Sequence, residues 1–239
     1  MRLIGLLGGM SWQSTAEYYR ILNDLTHERL GGLHSARCVL YSVDFAAIET
    51  MQAEGRWDEA GAVLGEAARV LESAGADFVV LCTNTMHKVA DVIEAAAGIP
   101  LLHLADTTAE AVKRRGVTTV GLLGTRFTMS EDFYRGRLAG HGLTVLVPSP
   151  EDQRLVSDIV YDELCLGVVR PESRDAYRRV IRDLVDAGAE GVIYGCTEIE
   201  LLVDETDSSV PVFPTTRLHC EAAIDRALLP GTPRVSGLP

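Results

Sequence analysis

One local pattern occurs twice in this chain, and that duplication limits what the chain can fold into. The apolar run Phe78 to Leu81 leads into Cys82-Thr83-Asn84-Thr85, and residues 192–194 lead through Gly195 into Cys196-Thr197-Glu198. Four more landmarks recur in the same order at a nearly constant offset. They are Gly5-Leu6-Leu7-Gly8 with Gly121-Leu122-Leu123-Gly124, Tyr19-Arg20 with Tyr134-Arg135, Ala74-Gly75-Ala76-Asp77 with Ala187-Gly188-Ala189-Glu190, and Ile99-Pro100 with Val210-Pro211. Glycine-rich strand-to-helix loops resemble one another in many proteins, but that does not explain the constant spacing. Two homologous halves of roughly 110 residues do, and that is an ordinary domain size.

Apolar runs predict strands at residues 3–7, 39–43, 78–81, 100–104, 119–123, 143–147, 192–194 and 210–213. Between them the pattern predicts helices at 14–30, 57–73, 86–97, 107–115, 133–139, 153–165, 172–187 and 218–229, and a loop or short helix at 44–52. Ser14-Thr15-Ala16-Glu17 reads as the cap of the first helix. Val63, Leu64, Ala67, Val70 and Leu71 read as the apolar face of the 57–73 helix. Strands that alternate with helices form parallel sheets, so the fold class is α/β, with two similar Rossmann-like domains. Ligands of such sheets bind beyond the carboxyl ends of the strands. Met10, Gln52, Cys82, Thr125 and Cys196 all fall just past such an end. Two halves facing each other would enclose one active site, with a cysteine from each wall.

The 239 residues are 47% hydrophobic and 23% charged, enough apolar material for a substantial core. A net charge of −12 argues against a nucleic-acid-binding face and against an anionic membrane surface as partner. A small carboxylate remains compatible with it, because backbone N–H groups bind anions locally. Cys38, Cys82, Cys165, Cys196 and Cys220 are an odd number in a chain of this size and form no disulfide scaffold. Met1-Arg2-Leu3-Ile4-Gly5 enters a strand directly, without the apolar run of a signal peptide. No apolar stretch is long enough to span a bilayer. The expected location is cytoplasmic, with thiols reduced.

A cysteine between a strand and a helix N-terminus is expected to have a lowered pKa. Two such thiols on opposite walls suit inversion at carbon: one removes a proton from one face and the other delivers a proton to the opposite face. Thr83, Asn84, Thr85, Thr125, Thr197 and Glu198 are residues able to bind a substrate and stabilise developing charge. No phosphate fingerprint marks a nucleotide site and no lysine stands in a pyridoxal context, so no cofactor is expected. Close ligand spacing for a metal among Cys82, Cys196, His87 and His103 is also lacking. Cys38, Cys165 and Cys220 read as structural, and Trp12 and Trp57 as packing residues.

The segments Gly5-Leu6-Leu7-Gly8-Gly9-Met10-Ser11-Trp12, Cys82-Thr83-Asn84-Thr85-Met86-His87, Gly121-Leu122-Leu123-Gly124-Thr125 and Gly195-Cys196-Thr197-Glu198 resemble the cofactor-independent, two-cysteine aspartate/glutamate racemase family, and within it the broad-specificity amino-acid racemases. The resemblance covers nearly the whole chain. It implies two α/β domains related by a pseudo-two-fold, residues 1–105 with 215–230 and residues 106–214, followed by a loose tail at 231–239. It implies a homodimer and a small amino-acid substrate. It casts Cys82 and Cys196 as the acid/base pair, and Met10, Gln52, Thr83, Asn84, Thr85, Thr125, Thr197 and Glu198 as substrate contacts. Alternatives on the same fold are a hydantoin racemase, or a maleate isomerase or decarboxylase with one nucleophilic cysteine. A non-catalytic small-molecule binding protein is the third alternative. Two segments depart from relatives that act on acidic amino acids. Gly8-Gly9-Met10-Ser11 stands where glutamate racemases carry Asp-Ser-Gly, and Val168 follows Glu163-Leu164-Cys165-Leu166-Gly167 where aspartate-specific members place a lysine.

Overall fold

A computed structural model describes residues 1–230. The 231–239 tail lies outside the described residues. The described residues divide into two compact units, one made of Met1–His103 with residues 219–230, the other of Leu104–Leu218.

The first unit runs β1 (Ile4–Gly8), α1 (Trp12–Leu30), β2 (Cys38–Ser42), α2 (Phe45–Ala53), α3 (Trp57–Ser73), β3 (Phe78–Leu81), α4 (Ala90–Ala96) and β4 (Leu101–Leu102). Its four strands are all parallel, in the order β2-β1-β3-β4, with Leu7 level with Leu81. The second unit runs α5 (Leu104–Arg114), β5 (Thr119–Gly124), α6 (Arg126–Ser130), α7 (Asp132–Gly140), β6 (Thr144–Leu146), α8 (Pro150–Asp162), α9 (Pro171–Asp186), β7 (Gly191–Gly195) and β8 (Val212–Pro214). Its sheet is again wholly parallel and repeats the same order, β6-β5-β7-β8, with Gly124 level with Gly195. The last helix, α10 (Thr215–Leu228), passes from the second unit into the first.

Helices cover both faces of each sheet, which is why β1, β3, β5 and β7 are continuous apolar runs rather than alternating ones. In the first unit, Leu64 and Leu71 of α3 and Ile93 of α4 pack on one face. Leu22 and Leu25 of α1 pack on the other with Ala223 and Ile224 of α10. In the second unit, Val156 and Val160 of α8 and Ile181 and Leu184 of α9 cover one face. Ala109 and Val112 of α5 and Leu138 of α7 cover the other. The helix after β4 therefore completes the second unit, and the helix after β8 completes the first.

The repeated landmarks carry the same structural duty in each unit. Ala74 and Ala187 end α3 and α9, and Gly75 and Gly188 then take φ of 90° and 104°, a left-handed turn that side chains disfavour. Next, Asp77 accepts from the Leu3 N–H at 2.7 Å, while Glu190 accepts from the N–H groups of Thr118 at 2.8 Å and Thr119 at 3.0 Å. Each acid thus ties the start of the unit's first strand to the start of its third. A Cβ on Gly5 would lie 3.0 Å from Ala76 Cβ, and one on Gly121 would lie 3.0 Å from Leu184 Cδ1, so both strands let a helix end approach closely.

Several expectations need correction. The cap of α1 is Ser11, whose Oγ accepts from the Ser14 N–H at 3.2 Å, and the helix begins two residues earlier than Ser14. Val63 and Val70 of α3 are exposed; Ala60, Leu64, Ala67, Ala68 and Leu71 form the buried face. Tyr18 is buried as Tyr134 is, whereas Tyr19 is exposed, so Tyr18 and not Tyr19 is the counterpart of Tyr134. The expected 86–97 helix is a 3-10 turn, Thr85–Val89, followed by the short α4. Between the strand expected at 119–123 and the helix expected at 133–139 there is a further short helix, Arg126–Ser130. Trp12 is 67% exposed and does not pack, while Trp57 packs against the core beneath the Lys88 ammonium, 3.9 Å from its ring centre.

Candidate active site

In each unit the two central strands, first and third in chain order, are neighbours, and the expected site residues follow their carboxyl ends. In the first unit Met10 comes after β1 and Cys82-Thr83-Asn84-Thr85 after β3. The Cys82 N–H donates to the Leu7 carbonyl at 2.9 Å, and the Cys82 carbonyl accepts from Ser14 Oγ at 3.3 Å. The cysteine backbone is thereby fixed between β1 and α1. Gln52 is near the end of α2, and its Nε2 donates to Met86 Sδ at 2.9 Å, which brings α2 against the loop that follows β3. Met10, Gln52, Cys82, Thr83, Asn84 and Thr85 are all buried.

The second unit repeats the arrangement. Thr125 follows β5 and caps α6, its Oγ1 accepting from the Thr128 N–H at 3.4 Å. Cys196 follows β7 and heads the 3-10 turn Thr197–Leu201. Its thiol donates to Glu198 Oε2 at 3.0 Å, and both side chains are buried. Thr197 Oγ1 lies 2.7 Å from Thr216 Oγ1, so the loop after β7 is tied to the first turn of α10.

The electrostatics overturn one expectation. Burial pushes the Cys82 thiol well above its ordinary range, with a smaller contribution from Cys38. Burial also pushes Cys196 up, and the neighbouring Glu198 charge adds to it. Burial therefore works against the lowered pKa expected at a helix N-terminus, because it disfavours the charged thiolate of each cysteine. Both groups rest as neutral thiols, and Glu198 is the carboxylate to which one of them already donates.

Two further groups adjoin the cysteine loops. Cys165 lies in the 3-10 turn Leu164–Leu166 and packs in the same cluster as Cys196; burial, then the Glu198 charge, pushes its thiol up to about 12. The other is His87, whose Nδ1 lies 2.8 Å from the Thr83 carbonyl. The spacing of four residues between Thr83 and His87 was the available signal. Among the described residues no group of three or more His, Cys, Asp or Glu is arranged to hold a metal ion, and no helix is long and apolar enough to cross a membrane.

Comparison with known proteins agrees with this geometry. The broad specificity amino-acid racemase RacX of Bacillus subtilis (strain 168) is 23% identical over 234 residues, which are 95% of this chain and 98% of that protein. A Yersinia pestis protein proposed to be an Asp/Glu racemase has a crystal structure that superposes with a TM-score of 0.91 at 56% identity, covering 95% of this chain and 100% of that one. An aspartate racemase homologue from Pyrococcus horikoshii OT3 superposes with a TM-score of 0.84 at 33% identity, over 95% of this chain and 99% of that one. The Asp/Glu/Hydantoin racemase profile matches residues 7–223, and the chain belongs to that family.

Proposed function

We propose that this protein is an amino-acid racemase of broad specificity that works without pyridoxal phosphate, with Cys82 and Cys196 as its two acid/base groups. The observation that supports this reading is the equivalence of the two thiols. Each follows the third strand of its own four-stranded parallel sheet, beside the loop that follows the first strand.

In the proposed reaction one cysteine, as thiolate, takes the α-proton, and the electron pair left on carbon spreads into the substrate carboxylate. The other cysteine, as thiol, gives its proton to the opposite face of the carbon. The pair ends with its protonation states exchanged, so the reverse reaction starts from the state in which the forward one stops. Because burial disfavours the thiolate, it has to be generated with substrate bound, and the α-ammonium of the substrate supplies a compensating positive charge. On the Cys196 side, the Glu198 carboxylate is placed to accept the thiol proton. In this reading Met10, Gln52, Thr83, Asn84, Thr85, Thr125 and Thr197 provide amide, hydroxyl and backbone groups for the ammonium and carboxylate of the substrate, where they stabilise the charge that develops.

The test is a panel of single-enantiomer amino acids incubated in deuterium oxide without added pyridoxal phosphate or metal. Loss of the α-proton signal together with growth of the opposite enantiomer is the expected result. Activity that disappears on dialysis against a chelator, a pyridoxal absorbance band, or a covalent cysteine adduct trapped by mass spectrometry would overturn the reading.

A further inference from the structure

Three histidines of the first unit meet at the loop that carries Cys82. The His87 ring centre lies 4.6 Å from that of His103 and 6.0 Å from that of His219, edge to face in both cases. All three rings are buried. His103 is the last residue of the unit before the chain leaves it, and His219 is the first after the chain returns. The cluster therefore joins the Cys82 loop to both chain crossings of this unit.

Hydrogen bonding assigns the rings their roles. His219 Nε2 lies 2.7 Å from the Leu102 carbonyl, which only accepts, so Nε2 carries the hydrogen. Its Nδ1 lone pair then accepts from the Tyr18 hydroxyl at 2.9 Å. His87 Nδ1 likewise faces a carbonyl, that of Thr83, and donates to it. Thr83 is already held at its N–H by the Leu81 carbonyl at 2.9 Å, so with His87 on its carbonyl the residue that follows Cys82 is held on both sides. Burial, then the neighbouring histidines, keeps His87 well below the ordinary imidazole pKa, and burial lowers His219 to about 4. His87 and His219 thus act as uncharged hydrogen-bonding groups.

We propose that His87 is a positioning residue for Cys82: its Nδ1–H grips the Thr83 carbonyl and, seated against His103 and His219, it fixes how the thiol is presented. The proposal rests on the two-thiol reading, and its test has a readout that does not depend on racemase activity. The alkylation rates of Cys82 and Cys196 with iodoacetamide are followed by mass spectrometry in the wild type, His87→Asn and His87→Leu. Asparagine keeps a donor near the Nδ1 position, and leucine fills the volume without one. In His87→Leu the Cys82 rate should change at least about fivefold while that of Cys196 stays within about twofold. Racemisation kcat should fall about ten- to a hundredfold with KM nearly unchanged, the scale of loss for a misplaced reacting group. His87→Asn should return both quantities to within about threefold of wild type. Equal effects on both thiols, or none on either, would overturn the proposal, as would His87→Asn behaving like His87→Leu. If His87→Leu does not fold, His87→Gln takes its place, with its donor carried one bond too far and the same outcomes expected. A wild type that racemises nothing would defeat the two-thiol reading, whereas the thiol-selective alkylation test would still decide the role of His87.

Discussion

At the scale of single residues the controlling fact is that Cys82 and Cys196 are desolvated. Their location after a strand promised an activated thiolate, but burial disfavours the charged form of both. The pH–rate profile should therefore keep rising past pH ~8.5, the ordinary thiol pKa, because the folded protein favours the protonated form of both groups. A profile that levels off near pH 7 would show the thiolates to be preformed. Replacing either cysteine by serine should reduce racemisation by at least about a thousandfold, roughly 4 kcal/mol of barrier, because a hydroxyl proton is far harder to remove. The double mutant should be little worse than either single one, as expected for groups that act as a unit. Elimination from a substrate with a β leaving group needs only the base, so Cys82→Ser and Cys196→Ser should each eliminate from a different enantiomer. Elimination by both from the same enantiomer would refute the pairing. For Glu198→Gln two effects separate. Removing the charge lowers the Cys196 pKa, so Cys196 should alkylate faster at neutral pH and the rising limb should move to lower pH. Losing the proton acceptor should still cost about ten- to a hundredfold in kcat.

At the scale of elements, the duplicated turn is the best-defined device. Gly188 sits at φ 104°, and an alanine there meets left-handed backbone strain. Gly188→Ala should destabilise the protein by about 1–2 kcal/mol, read from the urea midpoint, and Gly75→Ala should do the same. An unchanged midpoint would mean that the turn relaxes. The first helix offers a second test, since the cap is Ser11 and not Ser14. Ser11→Ala should cost about 1 kcal/mol by leaving the Ser14 N–H without its side-chain acceptor. Ser14 has a different duty, donating its hydroxyl to the Cys82 carbonyl. A change there should act on the thiol more than on helix stability.

At the scale of the whole molecule, two units share one plan and each is completed by the helix that follows the other's last strand. His219 enters the first unit at this crossing, and burial lowers its ring to about 4 from the ordinary imidazole value of about 6.5. The unfolded chain binds that proton more readily than the folded one between these values, so folding stability falls as pH falls through this window. The full effect is roughly 3 kcal/mol, present above pH 6.5 and lost below pH 4. Urea unfolding at pH 7, 5.5 and 4 should show the decline, and a midpoint constant over this range would contradict the buried neutral ring.

The duplication, the order of strands and helices, and the positions of the two cysteines at strand ends were all readable from the chain. Each depends on local apolar periodicity and on residues such as Gly75 and Gly188, whose backbone requirement is local. The bounds of α3 and β3 follow the apolar pattern for the same reason. What the chain could not disclose depends on contacts between distant segments. Exposure of Val63 and Val70 follows from which side of α3 meets the sheet, and helical spacing alone does not choose between adjacent stripes. The same holds for Tyr18, buried with its hydroxyl on His219, 201 positions away in the chain, while Tyr19 faces water. The protonation of Cys82 and Cys196 and the meeting of His87, His103 and His219 belong to the tertiary structure alone. Desolvation is set by everything packed around a group, and none of that packing is written in the residues next to it.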